Sequence, residues 1–468
     1  ATENEPVVVS GITSIFEQNP APKLRQLLHY WIKIKASGRM PSREIVSVFQ
    51  ISGLLPYVWL IDVVRSPHIR FRFGLIKTHV HRANAQEPLA RYLDETPVPV
   101  FPLKGADLIA DYLIDNDIPY VFGICGHGNV GMLDALYERR DKIKMISPRH
   151  EQVAAHMADA YFRVKHKPVA TLTSCGPGSC NIVMPLACAI ADSSAVFSIT
   201  ANVPTSQFNR SPFQEVNRHF QADFPNIIRP VVKRSFQPTR VDMLPLALRQ
   251  AMTTMLSGRP GPVNVDVPFN VFQEEADVEL PARAPTLNAQ RSGASPEEIA
   301  RAFDMIVRAE RPVIFIGHGV TLAEASRELT AFVHKMQIPV ISSPNGMGCL
   351  DMHDPLSLGF IGRNGAYPAN EAGRHADLVI AIGARFDDRS ASSWLPGYSW
   401  NFPTTKLIHV DVDPNELGRN YPPDLPILAD ARTFLRQMLT ESERRGMKHE
   451  GATMPWIAKI AEWHIEWE

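Results

Sequence analysis

The sequence places a glutamate at the head of a helix, where a carboxylate can do proton chemistry. Glu151 lies in SPRHEQVAAHMADAY (147–161), in which small and apolar residues recur at near-helical spacing and predict a buried face. The helix dipole favours a carboxylate in the first turn. Glu151 is a candidate catalytic residue if this helix end faces a packed interface. If the end faces water, Glu151 is a solvated capping residue.

A glycine-rich turn precedes this helix with the spacing of a dinucleotide site. Residues 126–131 carry Gly-x-Gly-x-x-Gly between a strand-like segment and a helix. Glu151 lies 20 residues beyond the last glycine, where such sites carry the acid that binds a ribose hydroxyl. That interpretation does not explain the bulky His127 or a second glycine turn, TSCGPGSCN (173–181). An NAD-dependent oxidoreductase therefore remains an alternative.

Short apolar strands alternate with helices along two consecutive stretches of the chain. Strand-like segments in the first are YVFGIC, KIKMIS, VATLTS, AVFSIT and PVNVDV, and those in the second are PVIFIG, IPVISS, DLVIAIG and KLIHVDVD. This alternation is typical of a parallel sheet covered by helices on both faces. The predicted fold class is α/β, with two consecutive doubly wound parallel-sheet domains preceded by a small α+β segment.

Proline-rich and polar stretches mark the boundaries. One is DETPVPVFPLKG (94–105), and another is a linker ending in SPEE (295–298), which predicts a helix start with serine as the cap. The predicted parts are an N-terminal segment (1–97), a first domain (101–275), a linker (276–298), a second domain (299–440) and a tail (441–468). The tail ends in an amphipathic helix, whose Trp456 and Trp463 we expect to be exposed.

Composition excludes several classes of function. The formal net charge of −1 gives no electrostatic case for nucleic acid or an anionic membrane as the main partner. No run of about 18 apolar residues predicts a transmembrane helix, and the acidic N-terminus does not resemble a signal peptide. The five cysteines have no metal-ligand spacing, so no metal site is predicted. They indicate reduced thiols in a cytoplasmic protein.

The order of motifs over 101–440 resembles thiamine-diphosphate enzymes of the acetolactate synthase type. GADLIADYLIDNDIPYVFGICGHG, RHEQVAAHMADAY, TSCGPGSCN, ITANVPT, FQEVNRHF and SGRPGPVNVDVP are similar to the pyrimidine-binding domain of that family. RPVIFIGHGV, IPVISSPNGMG, ADLVIAIGARFDDR and KLIHVDVDP are similar to its central domain. The resemblance implies a lyase or transferase of branched-chain amino acid biosynthesis. Such an enzyme adds a thiamine diphosphate ylide to a small 2-oxo acid such as pyruvate, with decarboxylation and carboligation.

The resemblance also implies roles for particular residues. Glu151 matches the glutamate that hydrogen-bonds N1′ of the cofactor pyrimidine, a role that requires its withdrawal from water. Gln214 and Lys233 match positions at the active-site entrance, with Phe213 as an apolar wall. His127 stands where relatives usually carry a Pro-Gly-Gly-like sequence, and it is either a proton shuttle or a polar wall. Residues expected beside the cofactor are Gly126, Thr173, Ser174, Gly176 and Asn181.

The second domain is a candidate flavin site, because acetolactate synthases bind FAD there. Gly317, Gly319, Arg385, Asp411 and Asp430 fall on the matching stretches. Asp411 follows a strand and is expected to bind an adenosine ribose, and Arg385 a phosphate. Relatives also exist that bind no flavin or another nucleotide. In that case GARFDDR is a loop held by internal Arg–Asp pairs.

The family holds the cofactor diphosphate and Mg²⁺ on a third domain marked by Gly-Asp-Gly, which this sequence does not contain. The expectation is half of a thiamine diphosphate site, completed in a homo-oligomer or by a partner chain, or else a truncated product. Residues 27–95 resemble the start of a PAS-type sensor module, with an α+β appendage as the alternative. A non-catalytic, sensor-like remnant is the third functional hypothesis.

Overall fold

The computed structural model describes residues 57–63, 71–77, 102–210, 212–213, 223–284, 291–446 and 454–467. The chain divides into two compact units, Ala1–Val100 and Phe101–Glu468. In the first unit, strands β1 (Tyr57–Val63) and β2 (Phe71–Lys77) pair antiparallel. The rest of the PAS-like segment lies outside the described residues, so its interpretation stays a prediction.

The first domain of the second unit contains a six-stranded parallel sheet in the order β5-β4-β6-β7-β9-β8. A short antiparallel pair, β3 with β10, lies apart from it. The elements are β3 (Leu103–Lys104), α1 (Gly105–Asp115), β4 (Tyr120–Gly123), α2 (Val130–Glu138), β5 (Lys144–Ile146), α3 (Glu151–Lys165), β6 (Val169–Thr173), α4 (Pro177–Cys180), α5 (Val183–Ala191), β7 (Val196–Asn202), α6 (Phe224–Ile228), β8 (Ser235–Phe236), α7 (Leu244–Leu256), β9 (Val263–Pro268), α8 (Phe269–Gln273) and β10 (Glu275–Ala276).

The second domain has another six-stranded parallel sheet, in the order β13-β12-β11-β14-β15-β16. From β11 the chain first adds β12 and β13 on one side of the sheet. It then crosses back and adds β14, β15 and β16 on the other side, so the strand order reverses between β11 and β14. The elements are α9 (Pro296–Arg308), β11 (Pro312–Ile316), α10 (His318–Leu322), α11 (Ser326–Met336), β12 (Val340–Ser342), β13 (Ser357–Phe360), α12 (Tyr367–His375), β14 (Leu378–Ile382), β15 (Lys406–Asp411), β16 (Leu425–Leu428), α13 (Ala431–Arg444) and α14 (Met454–Trp467).

Burial explains why these segments form parallel sheets. Every residue of β6, β7, β9, β11 and β14 is buried, as continuous apolar strands between two helical layers require. The predicted α/β class is therefore confirmed. The predicted start of α9 is also correct, since Ser295 Oγ accepts from Glu298 N at 3.1 Å and Ser295 N donates to Glu298 Oε2 at 2.7 Å. Among the described helices, none combines the length and apolarity that crossing a bilayer needs.

Helix α14 packs against the second domain. Trp456 and Trp463 are only 4% and 6% exposed, so the expectation that they are exposed is wrong. The indole Nε1 of Trp456 donates to Pro312 O at 3.2 Å, and the Trp463 ring lies 5.5 Å from that of His375 on α12. The apolar stripe of α14 was visible in the sequence, but the surface of α12 and β11 that receives it was not.

We predict that Trp456→Ala lowers the free energy of unfolding by about 3–5 kcal/mol, because it empties a filled space and removes a buried hydrogen bond. Trp467→Ala is the matched control in the same helix, since Trp467 is 58% exposed. It should change stability by less than about 0.5 kcal/mol. Urea unfolding followed by circular dichroism measures both, and equal effects would contradict the described packing.

Candidate functional site

The carboxyl ends of parallel strands in the first domain bring several predicted residues to one edge. The loops that follow β4, β6, β7 and β9 begin at this edge. Open α/β sheets bind ligands at the carboxyl ends of their strands. The edge therefore defines the first candidate site.

Glu151 is the first residue of α3 and has an oriented carboxylate. The cap of this helix is His150, whose Nδ1 accepts from Gln152 N at 3.2 Å, so Glu151 is not needed as the cap. Glu151 is half-buried, and its Oε2 accepts from Asn181 Nδ2 at 2.9 Å. A Cβ on Gly178 would lie 3.2 Å from Oε1. Gly178 therefore places no side chain beside Oε1, while Oε2 is held by Asn181.

The Gly126 turn is pressed against the loop that follows β6. A Cβ on Gly126 would lie 2.5 Å from both Cβ and Oγ of Ser174, and Gly128 N donates to Ser174 Oγ at 3.3 Å. Gly126 N donates to Asn129 Oδ1 at 2.9 Å, which fixes the turn internally. These two glycines permit a close approach between protein loops, a contact that the dinucleotide interpretation does not require.

The loop after β6 is shaped by its own polar residues. Thr173 is buried with Oγ1 3.3 Å from Ser179 Oγ, and that hydroxyl donates to Ser174 O at 2.7 Å. Gly176 has a φ of +62°, a value that favours glycine, and it begins helix α4. Thr173 and Gly176 thus set the backbone on which Ser174 and Asn181 are presented. Their contacts with a cofactor remain predictions.

His127 and Phe213 lie at the open side of this edge. His127 is exposed, with its Nε2 3.4 Å from the Sγ of buried Cys175. Phe213 is 86% exposed. Gln214 lies outside the described residues, so its predicted position at the entrance is untested. The structure leaves His127 open both as a proton shuttle and as a polar wall.

Lys233 lies at a different place from the Glu151 contacts. Its Nζ donates to Ser257 O at 2.7 Å and to Arg259 O at 2.8 Å. Burial lowers the pKa of Lys233 to about 8, although the charge of Asp413 acts in the opposite direction. Lys233 therefore fastens the 257–259 loop beside the second domain, and its predicted role at the entrance remains a prediction.

All five residues that were predicted to bind a flavin in the second domain line a second cleft. It has a volume of about 450 Å³, within the usual range for small-molecule sites. It lies at the carboxyl ends of β11, β14 and β15, where the strand order reverses and α/β sheets commonly bind ligands. The predicted residues that line it are Gly317, Gly319, Arg385, Asp411 and Asp430.

The charged residues of this cleft are held in different ways. Burial raises the pKa of Asp411 to about 6, although Asp411 Oδ1 accepts from Asp413 N at 2.9 Å. Asp430 is the N-cap of α13 and accepts from Thr433 N at 3.0 Å. Arg385 Nη2 lies 3.9 Å from Asp192 Oδ1 in the first domain. Burial thus makes ionisation of Asp411 unfavourable unless a hydrogen-bond donor lies beside its carboxylate.

The loop GARFDDR also makes Arg–Asp pairs with residues outside its own stretch. Asp388 pairs with Arg363 at 2.7 Å, and Arg385 approaches Asp192. Within the stretch, Asp387 Oδ1 accepts from Arg389 N at 2.9 Å. The interpretation as a loop held only by internal pairs is therefore too narrow.

Arg259 joins the two domains and was not singled out from the sequence. Its Nε donates to Ser193 Oγ at 2.7 Å, and its Nη1 donates to Glu416 Oε1 at 3.1 Å across the domain boundary. Burial and the neighbouring charge of Arg385 lower the pKa of Arg259. Arg259 lies within the motif SGRPGPVNVDVP, but a motif match alone does not identify the residues that it contacts.

Two protein-family models match the chain. Residues 103–222 match the N-terminal TPP binding domain of thiamine pyrophosphate enzymes, and residues 299–438 match the central domain of those enzymes. Both matches lie inside the predicted α/β domains. They give no support to an NAD-dependent oxidoreductase or to a sensor-like remnant.

The chain is also similar to several acetolactate synthase subunits. It is 36% identical to a probable large subunit from Methanocaldococcus jannaschii over 72% of this chain and 56% of the relative. It is 33% identical to the large subunit from Haemophilus influenzae and 32% identical to the isozyme 3 large subunit from Escherichia coli. Each of these two alignments covers 77% of this chain and 62% of the relative. The chain therefore spans less than two thirds of the length of these relatives.

We predict that Gly126→Ala destabilises the protein by about 1–3 kcal/mol, because its Cβ would collide with Ser174. Ser174→Gly removes both atoms of that collision. In a double-mutant cycle, the second substitution should therefore recover at least half of the loss caused by the first. Unfolding free energies of the four proteins measure this coupling. Strictly additive effects would show that the two loops do not touch as described.

Proposed function

Because the chain belongs to the thiamine pyrophosphate enzymes, we propose that it is part of a thiamine diphosphate-dependent, acetolactate synthase-like lyase or transferase. Its substrate is a small 2-oxo acid such as pyruvate. The reaction combines decarboxylation with carboligation and serves branched-chain amino acid biosynthesis. The relatives that support this assignment are longer than the chain, so the activity is proposed for the complete protein or assembly.

The setting of the Glu151 carboxylate carries the proposal. Asn181 holds Oε2, and Gly178 places no side chain beside Oε1. Glu151 would hold a proton between Oε1 and N1′ of the pyrimidine, and Asn181 would keep the carboxylate in the orientation for that exchange. The bound cofactor supplies a nucleophilic carbon for addition to the ketone.

The other predicted residues act around this centre. Gly126 and Ser174 set the wall of the cofactor pocket, with Thr173 and Gly176 behind them. His127 acts at the open side, either by moving a proton or by closing the pocket. Gln214 and Lys233 are retained as entrance residues on the resemblance alone.

We propose that the residues that bind the diphosphate and Mg²⁺ are supplied by a partner chain carrying a diphosphate-binding domain, or by a homo-oligomer of the complete protein. The absence of Gly-Asp-Gly from the 468 residues supports this division of the site. The relatives are named large subunits, which is compatible with an assembly. The cysteine pattern of the sequence supports the proposed cytoplasmic location.

We also propose the second cleft as a flavin site. Asp411 offers a half-buried acceptor for ribose hydroxyls, and Arg385 offers a cation for a phosphate. The position at the strand reversal supports a nucleotide there. Gly317 and Gly319 are needed for a different reason, since a Cβ on either would collide with the backbone of Gly383.

Glu151→Gln should weaken pyrimidine binding at least tenfold, because a neutral amide can hydrogen-bond N1′ but cannot transfer a proton to it and form the stronger charge-assisted hydrogen bond. Saturation-transfer NMR on the pyrimidine protons of thiamine diphosphate detects weak binding to the chain and gives the dissociation constants. Glu138→Gln is the matched control, since the Glu138 side chain is 73% exposed on α2. Equal affinities for wild type and Glu151→Gln would count against the proposed function.

FAD affinity should depend on pH through Asp411. With a pKa of about 6, only about a tenth of Asp411 is ionised at pH 5 but nearly all at pH 7.5. Because hydroxyl donors favour the ionised acid, FAD should bind up to about tenfold more tightly at pH 7.5 than at pH 5. Asp411→Asn should abolish this dependence. Quenching of flavin fluorescence measures it, and a dependence that persists in the variant would exclude Asp411 as its source.

A further inference from the structure

A carboxylate that the proposed function does not use lies inside the first domain. Asp266, on β9, is fully buried. Its oxygens accept three hydrogen bonds, from Thr200 Oγ1 at 2.7 Å, Asn202 Nδ2 at 2.6 Å and Gln237 Nε2 at 2.8 Å. All three of these donors are neutral side chains. Because a buried carboxylate is costly to ionise when only neutral groups surround it, its presence requires a physical explanation.

The pattern of donors favours the ionised form of Asp266. Oδ2 accepts from both Asn202 and Gln237, and Oδ1 accepts from Thr200. An amide or a protonated acid at this position would place a hydrogen opposite one of these donors. Burial raises the pKa of Asp266 to about 6, although the three donors act in the opposite direction. At neutral pH the acid is therefore largely ionised, and it links β9 to β7 and to the residue after β8.

A chain of hydrogen bonds ends on the same carboxylate. Ser235 Oγ donates to Asn264 Oδ1 at 2.7 Å, and Asn264 Nδ2 donates to Thr200 Oγ1 at 3.0 Å. Because Thr200 receives that hydrogen, its own hydroxyl hydrogen is available for Asp266. The ionised acid is thus the final acceptor of the chain, and it determines the direction of every hydrogen bond in it.

The network also holds the start of the loop 203–210. Asn202 is the last residue of β7, and its Oδ1 accepts from Val203 N at 2.8 Å. The hydrogen bond to Asp266 orients the amide of Asn202 so that its oxygen faces Val203. Further along the loop, Thr205 N donates to Asn270 Oδ1 at 2.9 Å. The loop is therefore fastened at two points, one of which depends on the buried acid.

This loop forms one wall of a cleft at the carboxyl edge of the first sheet. The cleft opens to solvent, has a volume of about 920 Å³, and is lined by His127, Val203 and Gln207 among others. The end of β7 also supports the glycine turn, since a Cβ on Gly128 would lie 3.2 Å from the Cβ of Ala201. The strand end that Asp266 holds thus supports two walls of the candidate site.

We propose that Asp266 is a positioning residue, which holds the loop 203–210 where the 2-oxo acid substrate requires it. This inference rests on the proposed function. Asp266 is buried beneath the cleft and acts through Asn202. With a neutral residue at position 266, the amide of Asn202 can turn over, and Val203 N then faces an NH₂ group instead of an oxygen.

Hydrogen exchange followed by mass spectrometry tests the positioning in the chain itself. Asp266→Asn should speed amide exchange in 203–210 at least tenfold. Asp111→Asn is the matched control, since Asp111 is 5% exposed and accepts from Arg139 in the same domain. It should lower overall stability without a preferential change in 203–210. Equal changes of this loop in both variants, or none in Asp266→Asn, would overturn the inference.

A reciprocal exchange of the two residues is a stricter test. Asn202→Asp alone should also speed exchange of the loop, because two carboxylates would then face each other. In the double variant Asp266→Asn/Asn202→Asp, the carboxylate at position 202 can accept both from the amide at position 266 and from Val203 N. Exchange in 203–210 should return to within threefold of the wild type. A folded double variant whose loop exchanges as fast as in the single variants would contradict the proposed link.

Steady-state kinetics of the complete enzyme test the consequence for the substrate. Asp266→Asn should raise the KM for the 2-oxo acid at least tenfold while kcat changes less than threefold, because the loop is displaced but Glu151 is not. A lower kcat at an unchanged KM, or faster loop exchange with both constants unchanged, would reject the role of Asp266 alone. Loop exchange as expected in a wild type that does not act on 2-oxo acids would reject the proposed function instead.

Discussion

The close approach of two loops at the carboxyl edge of the first sheet organises the whole candidate site. Gly126 brings its turn within contact of Ser174, and no other residue type leaves enough space there. The loop after β6 then leads directly into α4 and presents Asn181 to Glu151. A steric constraint between backbone segments thus determines the orientation of a carboxylate on another helix. If Glu151 acts as proposed, its chemistry depends on a contact that involves no catalytic group.

Both domains share one architecture. In each, the parallel sheet ends at an edge where loops from several strands meet. The first edge presents a half-buried carboxylate and an open cleft, which suit reaction and exchange with solvent. The second edge presents half-buried Asp411 between loops that contact each other through glycine backbone.

The sequence was sufficient for the fold class, and its motifs supplied candidate site residues. Continuous apolar strands predicted parallel sheets because only two-sided burial tolerates them. Glu151 and Asn181 were both identified, although their hydrogen bond spans 30 positions and was not foreseen. The expectation that Trp456 is exposed was wrong because periodicity reveals an apolar stripe but not the surface that covers it. Arg259 was overlooked for a similar reason, since its partners come from two domains and have no common spacing.

Arg259 binds Ser193 and Glu416 at once, and through them it fixes one domain against the other at the wall of the second cleft. A ligand entering there meets walls that are already ordered, so little conformational entropy is lost when it binds. The converse also holds. A substitution that merely loosens this junction would weaken the ligand without removing any atom that touches it, because each binding event would then have to restore the order that Arg259 now maintains.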